Sequence, residues 1–227
     1  NTMLKALVDG GYFAKAESLL VFATETEDTS LINWKIPGTR NPSAFGGIVW
    51  SQYIGYQGAA SKYIKTNYNP VTNGAGRVGQ DNFCIMYGCM NNIAVIQNAM
   101  GSGLTVNTGS IMMTPANSDN RPLLSFCTDA TYSPVVSTTN KHWFITRTQA
   151  GTLTWGYNQT SADVAQASRG INNWQINVCG VWYNSGNATS TLQASYAFIF
   201  SGLTAVECKA VVAIMEAYLD NYGTGLY

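Results

Sequence analysis

The chain has 227 residues, 46% of them hydrophobic and 12% aromatic, which is enough to bury a sizeable core and too aromatic for a disordered segment. Twelve basic residues balance twelve acidic ones, and no basic block is present, which argues against a nucleic-acid partner. No apolar run approaches the roughly 18 residues that span a bilayer, so membrane insertion is not expected either.

Charged residues make up only 11% of the chain, against about 25% in an average globular protein. The remainder is rich in Asn, Thr, Ser and Gly, so amides and hydroxyls rather than ions solvate the surface. The chain starts at Asn1 with no secretory leader pattern, and it reads as the C-terminal part of something longer.

In chain order, Thr2–Val8 is a helical candidate, with Met3, Leu4 and Leu7 at helical spacing and Gly10-Gly11 as the stop. Phe13–Phe22 mixes a helical turn with a buried strand, Leu19–Phe22. Glu25, Glu27 and Asp28 form an acidic cluster that reads as a solvated loop. Leu31–Trp34 is extended in pattern, and Pro37-Gly38 and Asn41-Pro42 signal turns. Ser51–Pro70 is expected to be a hairpin: Tyr53–Tyr56 and Tyr63–Thr66 as strands around a turn of small residues at 57–60. Phe83–Tyr87, Ile93–Ile96, Leu104–Val106, Ile111–Met113 and Leu123–Phe126 read as short strands, with polar loops between them.

The second half is more regular. Trp143–Thr148, Leu153–Tyr157, Ile176–Trp182 and Tyr196–Phe200 read as strands. Leu153, Trp155 and Tyr157 share one face, and Tyr196, Phe198 and Phe200 share another. Gln149-Ala150-Gly151 is a hairpin turn. Thr204 followed by Glu207 forms a capping box, Val211, Ile214, Met215, Tyr218, Leu219 and Tyr222 form one helical stripe, and Gly223 supplies a left-handed stop. This helix, 204–222, is expected on the edge of the sandwich. Many short strands followed by one helix predict an all-β, two-sheet antiparallel jelly-roll sandwich with a C-terminal amphipathic helix and a short N-terminal helical segment. The division expected is a lead-in over residues 1–24 and a jelly-roll domain over 25–227.

The chemistry is mostly eliminated. Cys84, Cys89, Cys127, Cys179 and Cys208 are odd in number and lack a C-x-x-C spacing, so they read as small core hydrophobes rather than metal ligands. His142 is the single histidine, which makes a Cys/His metal site improbable and leaves one imidazole for any nucleophilic triad; no G-x-S-x-G elbow accompanies it. It reads as a hydrogen-bonding residue at a strand edge. Gly74–Gly79 fits a loose G-x-G-x-x-G, but a strand follows it, so it reads as a flexible loop rather than a phosphate cradle. No cofactor or metal site is expected.

Several stretches resemble a known family. Leu153–Tyr157, Tyr196–Phe200, Gly202-Leu203-Thr204 and the helix through Ala217-Tyr218-Leu219 are similar to concanavalin A-like lectin/glucanase (laminin-G-like) domains. Phe22-Ala23, Leu31–Lys35, Tyr56-Gln57-Gly58, Tyr63-Ile64 and Thr66–Pro70 resemble such domains in bacteriophage tail and other virion proteins. The resemblance covers residues 13 to 223. It implies a structural role in a virion, made in the host cytoplasm, as a tail fibre, spike or capsid-decorating module. Its implied partners are other virion proteins, copies of itself in a homotrimer, and host-surface carbohydrate. The alternative is a carbohydrate-binding or glycoside-hydrolysing domain of a secreted cellular protein. Hydrolytic members of this fold carry E-x-D-x-x-E carboxylates on one strand; the sequence has no such motif, so no enzyme activity is expected. Residues of the right type to stack on and hydrogen-bond a sugar are Trp155, Tyr157, Asn158 and Trp182, and, in a loop, Asp119, Asn120 and Arg121. The competing role for Trp155 and Trp182 is the core.

Overall fold

In the computed structural model, residues 2–91, 99–103, 110–115, 123–128, 141–183 and 186–226 are described, with backbone alone for 123, 182–183 and 186–188. The helices are α1 (Thr2–Asp9), α2 (Tyr12–Lys15), α3 (Glu27–Ser30), α4 (Pro70–Asn73) and α5 (Ala205–Asp220). The strands of the first half are β1 (Ala16–Val21), β2 (Ser43–Phe45), β3 (Val49–Ser51), β4 (Gly55–Gln57), β5 (Tyr63–Lys65), β6 (Phe83–Cys89), β7 (Met100–Ser102) and β8 (Ser110–Thr114). Those of the second half are β9 (Leu123–Thr128), β10 (Lys141–Arg147), β11 (Thr152–Tyr157), β12 (Thr160–Ala165), β13 (Asn177–Val178), β14 (Gly180–Tyr183), β15 (Gly186–Thr189) and β16 (Gln193–Phe200).

They form two sheets packed as a jelly-roll sandwich. The first runs β12-β11-β10-β6-β16-β4-β3, with β1 sharing the outer edge of β16 with β4. The second runs β15-β14-β7-β13-β5-β2, with β8 and β9 attached through β7. Among the described residues all strand pairings are antiparallel except β14 with β7. Alternation along β6 explains the layers. Phe83, Ile85, Tyr87 and Cys89 point between the sheets, while Cys84 and Met86 point outward under the helices. Its sequence, FCIMYGC, is apolar throughout because both faces are covered.

The C-terminal helix is where its signals place it. Thr204 accepts from the Glu207 N–H, Glu207 accepts from the Thr204 N–H, and Gly223 takes a left-handed φ of 70° just past the end. It does not lie on the sandwich edge, however. Cys208, Val211, Val212 and Met215 pack with Met3 and Leu7 of α1 against Leu19, Met86, Phe144 and Phe198, on the outer face of the first sheet. The reason is in β1, β6, β10 and β16, whose outward residues are too apolar to face water.

Ser51–Pro70 also differs from its sequence pattern. It is not a hairpin: β4 pairs with β3 and β16 in the first sheet, and β5 pairs with β2 and β13 in the second. The chain turns the corner at Gly58, where a Cβ would collide with the Ser190 carbonyl. Ile176–Trp182 breaks into two strands at Cys179, whose φ is 57°. Leu31–Trp34 is a turn region held by Asn33, whose buried side-chain oxygen accepts from the Leu19 and Lys35 N–H groups. The strands expected at Ile93–Ile96 and Leu104–Val106 lie outside the described residues. All five cysteines are buried, as small core side chains would be. Among the described residues no helix is long and apolar enough to cross a membrane.

Candidate functional site

The residue types singled out for sugar recognition do not converge. Trp155 is 6% exposed and belongs to the core between the sheets, so it presents no ring face to a ligand. Tyr157 is half-buried beside Trp143 and Trp155, with the Lys141 ammonium 4.6 Å from its ring centre. Asn158 turns the β11–β12 hairpin at a φ of 48°, and its side-chain oxygen accepts from the His142 N–H at 3.0 Å. Trp182 lies on β14, and its side chain is outside the described set, as are Asp119, Asn120 and Arg121.

His142 is not an edge residue. Its ring is buried between β10 and α5, with Nδ1 2.9 Å from the Tyr196 hydroxyl and Nε2 2.6 Å from Glu216 Oε2. Glu216 also accepts from the Leu226 N–H at 2.8 and 2.9 Å. This network ties the sheet, the helix and the chain beyond it together. It is sealed from solvent, so it orients α5 rather than meeting a ligand.

What the helices create is a groove of about 510 Å³ between α1 and α5. Ala6, Ala213 and Ala217, with no side chain beyond Cβ, leave room for the groove, and Met3 and Ile214 add an apolar lining. Tyr218 and Tyr222 close one end, with Asn221 and Thr2 as polar groups. The aromatic end is ordered by stacking. The Tyr222 ring lies over Tyr53 at 4.4 Å and 9° between planes, and Tyr218 meets Tyr222 edge-on at 5.3 Å. Tyr218 donates its O–H to the Ala23 carbonyl at 2.9 Å, and burial, then the neighbouring tyrosines, push its hydroxyl well above the ordinary phenol range. Tyr222 remains 43% exposed. None of the nine lining residues is a carboxylate or an imidazole.

Sequence reasoning placed Tyr218 and Tyr222 in the helix's buried stripe and did not single out Tyr53 for the site. The available signal was Tyr222 itself, which falls beyond the last full turn of α5 and next to Gly223. Among the described residues no group of three or more His, Cys, Asp or Glu side chains is placed to hold a metal ion.

No protein-family model matches the sequence, and no curated protein sequence matches it. Solved structures do share its fold. Domain 4 of AbnA, an extracellular arabinanase from Geobacillus stearothermophilus solved with arabinotriose, superposes with a TM-score of 0.52 at 11% identity, over 87% of this chain and 99% of that one. The binding domain of botulinum neurotoxin serotype D gives 0.55 at 13% identity, over 88% of this chain and 52% of that chain. A sialidase mutant from Trypanosoma rangeli gives 0.56 at 7% identity, over 96% of this chain and 38% of that chain. The chain therefore spans nearly all of the arabinanase domain but only about half or less of the other two. No virion protein is among these three. At such identities the likeness is one of fold: this chain is a two-sheet jelly-roll sandwich of the kind these proteins contain.

Proposed function

We propose that this domain is a non-catalytic carbohydrate-binding module whose groove between α1 and α5 takes a neutral glycan. The observation that carries this reading is the groove's composition: an alanine-lined cleft with stacked tyrosines at one end, polar groups in Thr2 and Asn221, and no charged lining residue. Tyrosine rings match the apolar faces of a sugar, and the small residues let a chain lie close to the helices. The shared fold of an arabinanase domain solved with arabinotriose supports a sugar ligand. Absence of a carboxylate pair from the groove supports binding without hydrolysis, since glycoside cleavage needs two carboxyl groups about 5–9.5 Å apart.

The test is binding of neutral oligosaccharides, arabinotriose first, with reducing ends assayed in the same tube. Saturable binding without new reducing ends is expected. Tyr222→Ala should abolish it, and Tyr157→Ala should leave it intact. New reducing ends would make the domain an enzyme. A full neutral panel without binding would remove the groove as a sugar site.

One observation favours a second reading, assembly into a larger particle of the kind the virion resemblance implies. Among the described residues β2 and β3 end their sheets, residues 41–61 carry no charge, and Phe45 and Val49 on these edges are 45% and 56% exposed. Unprotected apolar edges invite strand pairing with another chain. Light scattering decides this: a trimer that Phe45→Lys dissociates supports assembly, and a monomer at all concentrations ends it.

A further inference from the structure

A second cluster, none of whose residues lines the groove, lies where β1 meets the loops around α4. The pairing of β1 with β16 slips between Ala16 and Ser18, and the extra residue is Glu17. Its buried carboxylate has Arg77 Nε 3.1 Å away, and Arg40 and Lys35 also act on it electrostatically. Three cations therefore share one carboxylate, leaving an excess of two positive charges. Each cation is already tethered by one backbone carbonyl: Arg77 to Ala14 at 2.5 Å, Arg40 to Asn73 at 3.3 Å and Lys35 to Phe13 at 2.6 Å.

Two donor atoms of this cluster are buried without a hydrogen-bond partner, Tyr68 Oη and Arg40 Nε, while Glu17 Oε1 has only its ion pair with Arg77. Tyr68 is fully buried, and the Arg40 guanidinium lies 5.4 Å from its ring centre. The one carboxylate of the cluster, Glu17, is paired with Arg77 and does not reach the Tyr68 hydroxyl or the Arg40 Nε–H, so these two donors stay unsatisfied beside an excess of positive charge, a costly arrangement in a folded interior. The charges press on one another as well. Burial, then the like charge of Arg77, lowers the Lys35 ammonium below its ordinary range. The side chain over the Tyr68 ring, Arg40, is long and half-buried, and Arg77 is about half-exposed, so both can swing outward to admit a ligand.

We infer that Lys35, Arg40, Arg77 and Tyr68 form a binding site for a small oxyanion, a carboxylate, phosphate or sulfate group. The anion accepts from Tyr68 Oη and Arg40 Nε, and neutralises the charge that Glu17 leaves uncompensated. Gly74–Gly79 then has a role, because it carries Arg77 to the cluster; its contribution to the anion is a side chain, not a cradle of backbone N–H groups.

The experiment is thermal unfolding and titration calorimetry of the whole chain with sodium phosphate, sulfate and glucuronate, against chloride at constant ionic strength. A saturable rise in melting temperature is expected with at least one oxyanion. Tyr68→Phe should weaken that anion about tenfold, as loss of one hydrogen bond to a charged group does. Arg40→Gln with Arg77→Gln should abolish the response. If Tyr68→Phe folds poorly, Lys35→Gln, at a half-buried surface position, provides the second variant and should weaken binding several-fold. Response to glucuronate alone identifies the source as a sugar acid, and response to phosphate or sulfate identifies a free inorganic ion. No saturable response to any of the three, or a response that the double variant retains, overturns the site. Since the groove is probed with neutral sugars, either site can fail without the other.

Discussion

The two faces of the first sheet are built differently. Between the sheets, β6, β10, β11 and β16 present Phe83, Ile85, Trp143, Ile145, Leu153 and Ile199, and the charge among them is Arg147. Arg147 gives its N–H groups to neutral oxygens: the Phe126 carbonyl at 2.7 Å, and the Gln166 and Thr152 carbonyls at 2.7 and 3.2 Å. On the outer face the same strands present Met86, Phe144, Phe198 and Phe200 to α1 and α5, and amid them lies the His142–Tyr196–Glu216 network. Both faces carry directional bonds: those of Arg147 on the inner face tie strand to strand and loop, whereas those on the outer face tie the sheet to a helix. A sheet facing a sheet is fixed by the strands' many contacts. A helix on a sheet can slide or rotate, so a buried polar contact that is satisfied in one position only fixes where it sits. The groove inherits its shape from that position.

The two faces should therefore respond differently to truncation. Trp143→Ala, on the inner face, should cost about 4 kcal/mol, because a fully buried ring leaves a cavity that the two sheets cannot close. Urea unfolding should show it, with both helices lost in the same transition. Glu216→Ala, on the outer face, should cost about 3 kcal/mol, since it strands His142 and the Leu226 N–H in a buried site. Replacing the pair together, His142→Phe with Glu216→Leu, should recover most of that stability while weakening glycan binding in the groove, because α5 loses its fixed position. A double variant that binds as tightly as the parent would show that apolar packing alone sets the groove.

The same contrast explains what could be read from the sequence. Elements that end on local chemistry were legible: α5 from Thr204, Glu207 and Gly223, and β11 from Leu153, Trp155 and Tyr157. The strand β12, TSADVA, was not, because it is an exposed strand at the end of its sheet with little apolar alternation. Tyr53–Thr66 read as a hairpin because periodicity says a residue is extended without saying in which sheet. The deciding contact, Gly58 against Ser190, joins positions far apart in the chain. The groove is hidden for a related reason. Its floor is alanine, and its walls come from the two ends of the chain, so no local motif marks it. Glu17, Arg40, Tyr68 and Arg77 are likewise gathered only by the fold.

The smallest effect separates the helix's own chemistry from its docking. Glu207 closes the capping box and also takes the Lys15 ammonium at 2.6 Å, joining the start of α5 to the end of α2. Burial alone would raise its carboxyl, but the Lys15 and Thr204 hydrogen bonds outweigh it and hold the group below its ordinary value. Folded Glu207 thus gives up its proton more readily than unfolded Glu207. Its contribution is complete above the unfolded value of about 4.3 and is lost as pH falls through the lower folded one. Glu207→Ala should cost about 1 kcal/mol at pH 7. Glu207→Gln keeps the geometry of the cap and loses only the charge, so it should cost a few tenths. Melting temperatures measured from pH 7 to pH 3 should show the parent and Glu207→Gln converging at the acid end. No gap at any pH would mean that the cap's hydrogen bonds, which Gln keeps, and not the ion pair with Lys15, hold this end of the helix. That would place the anchoring of α5 entirely on its buried face.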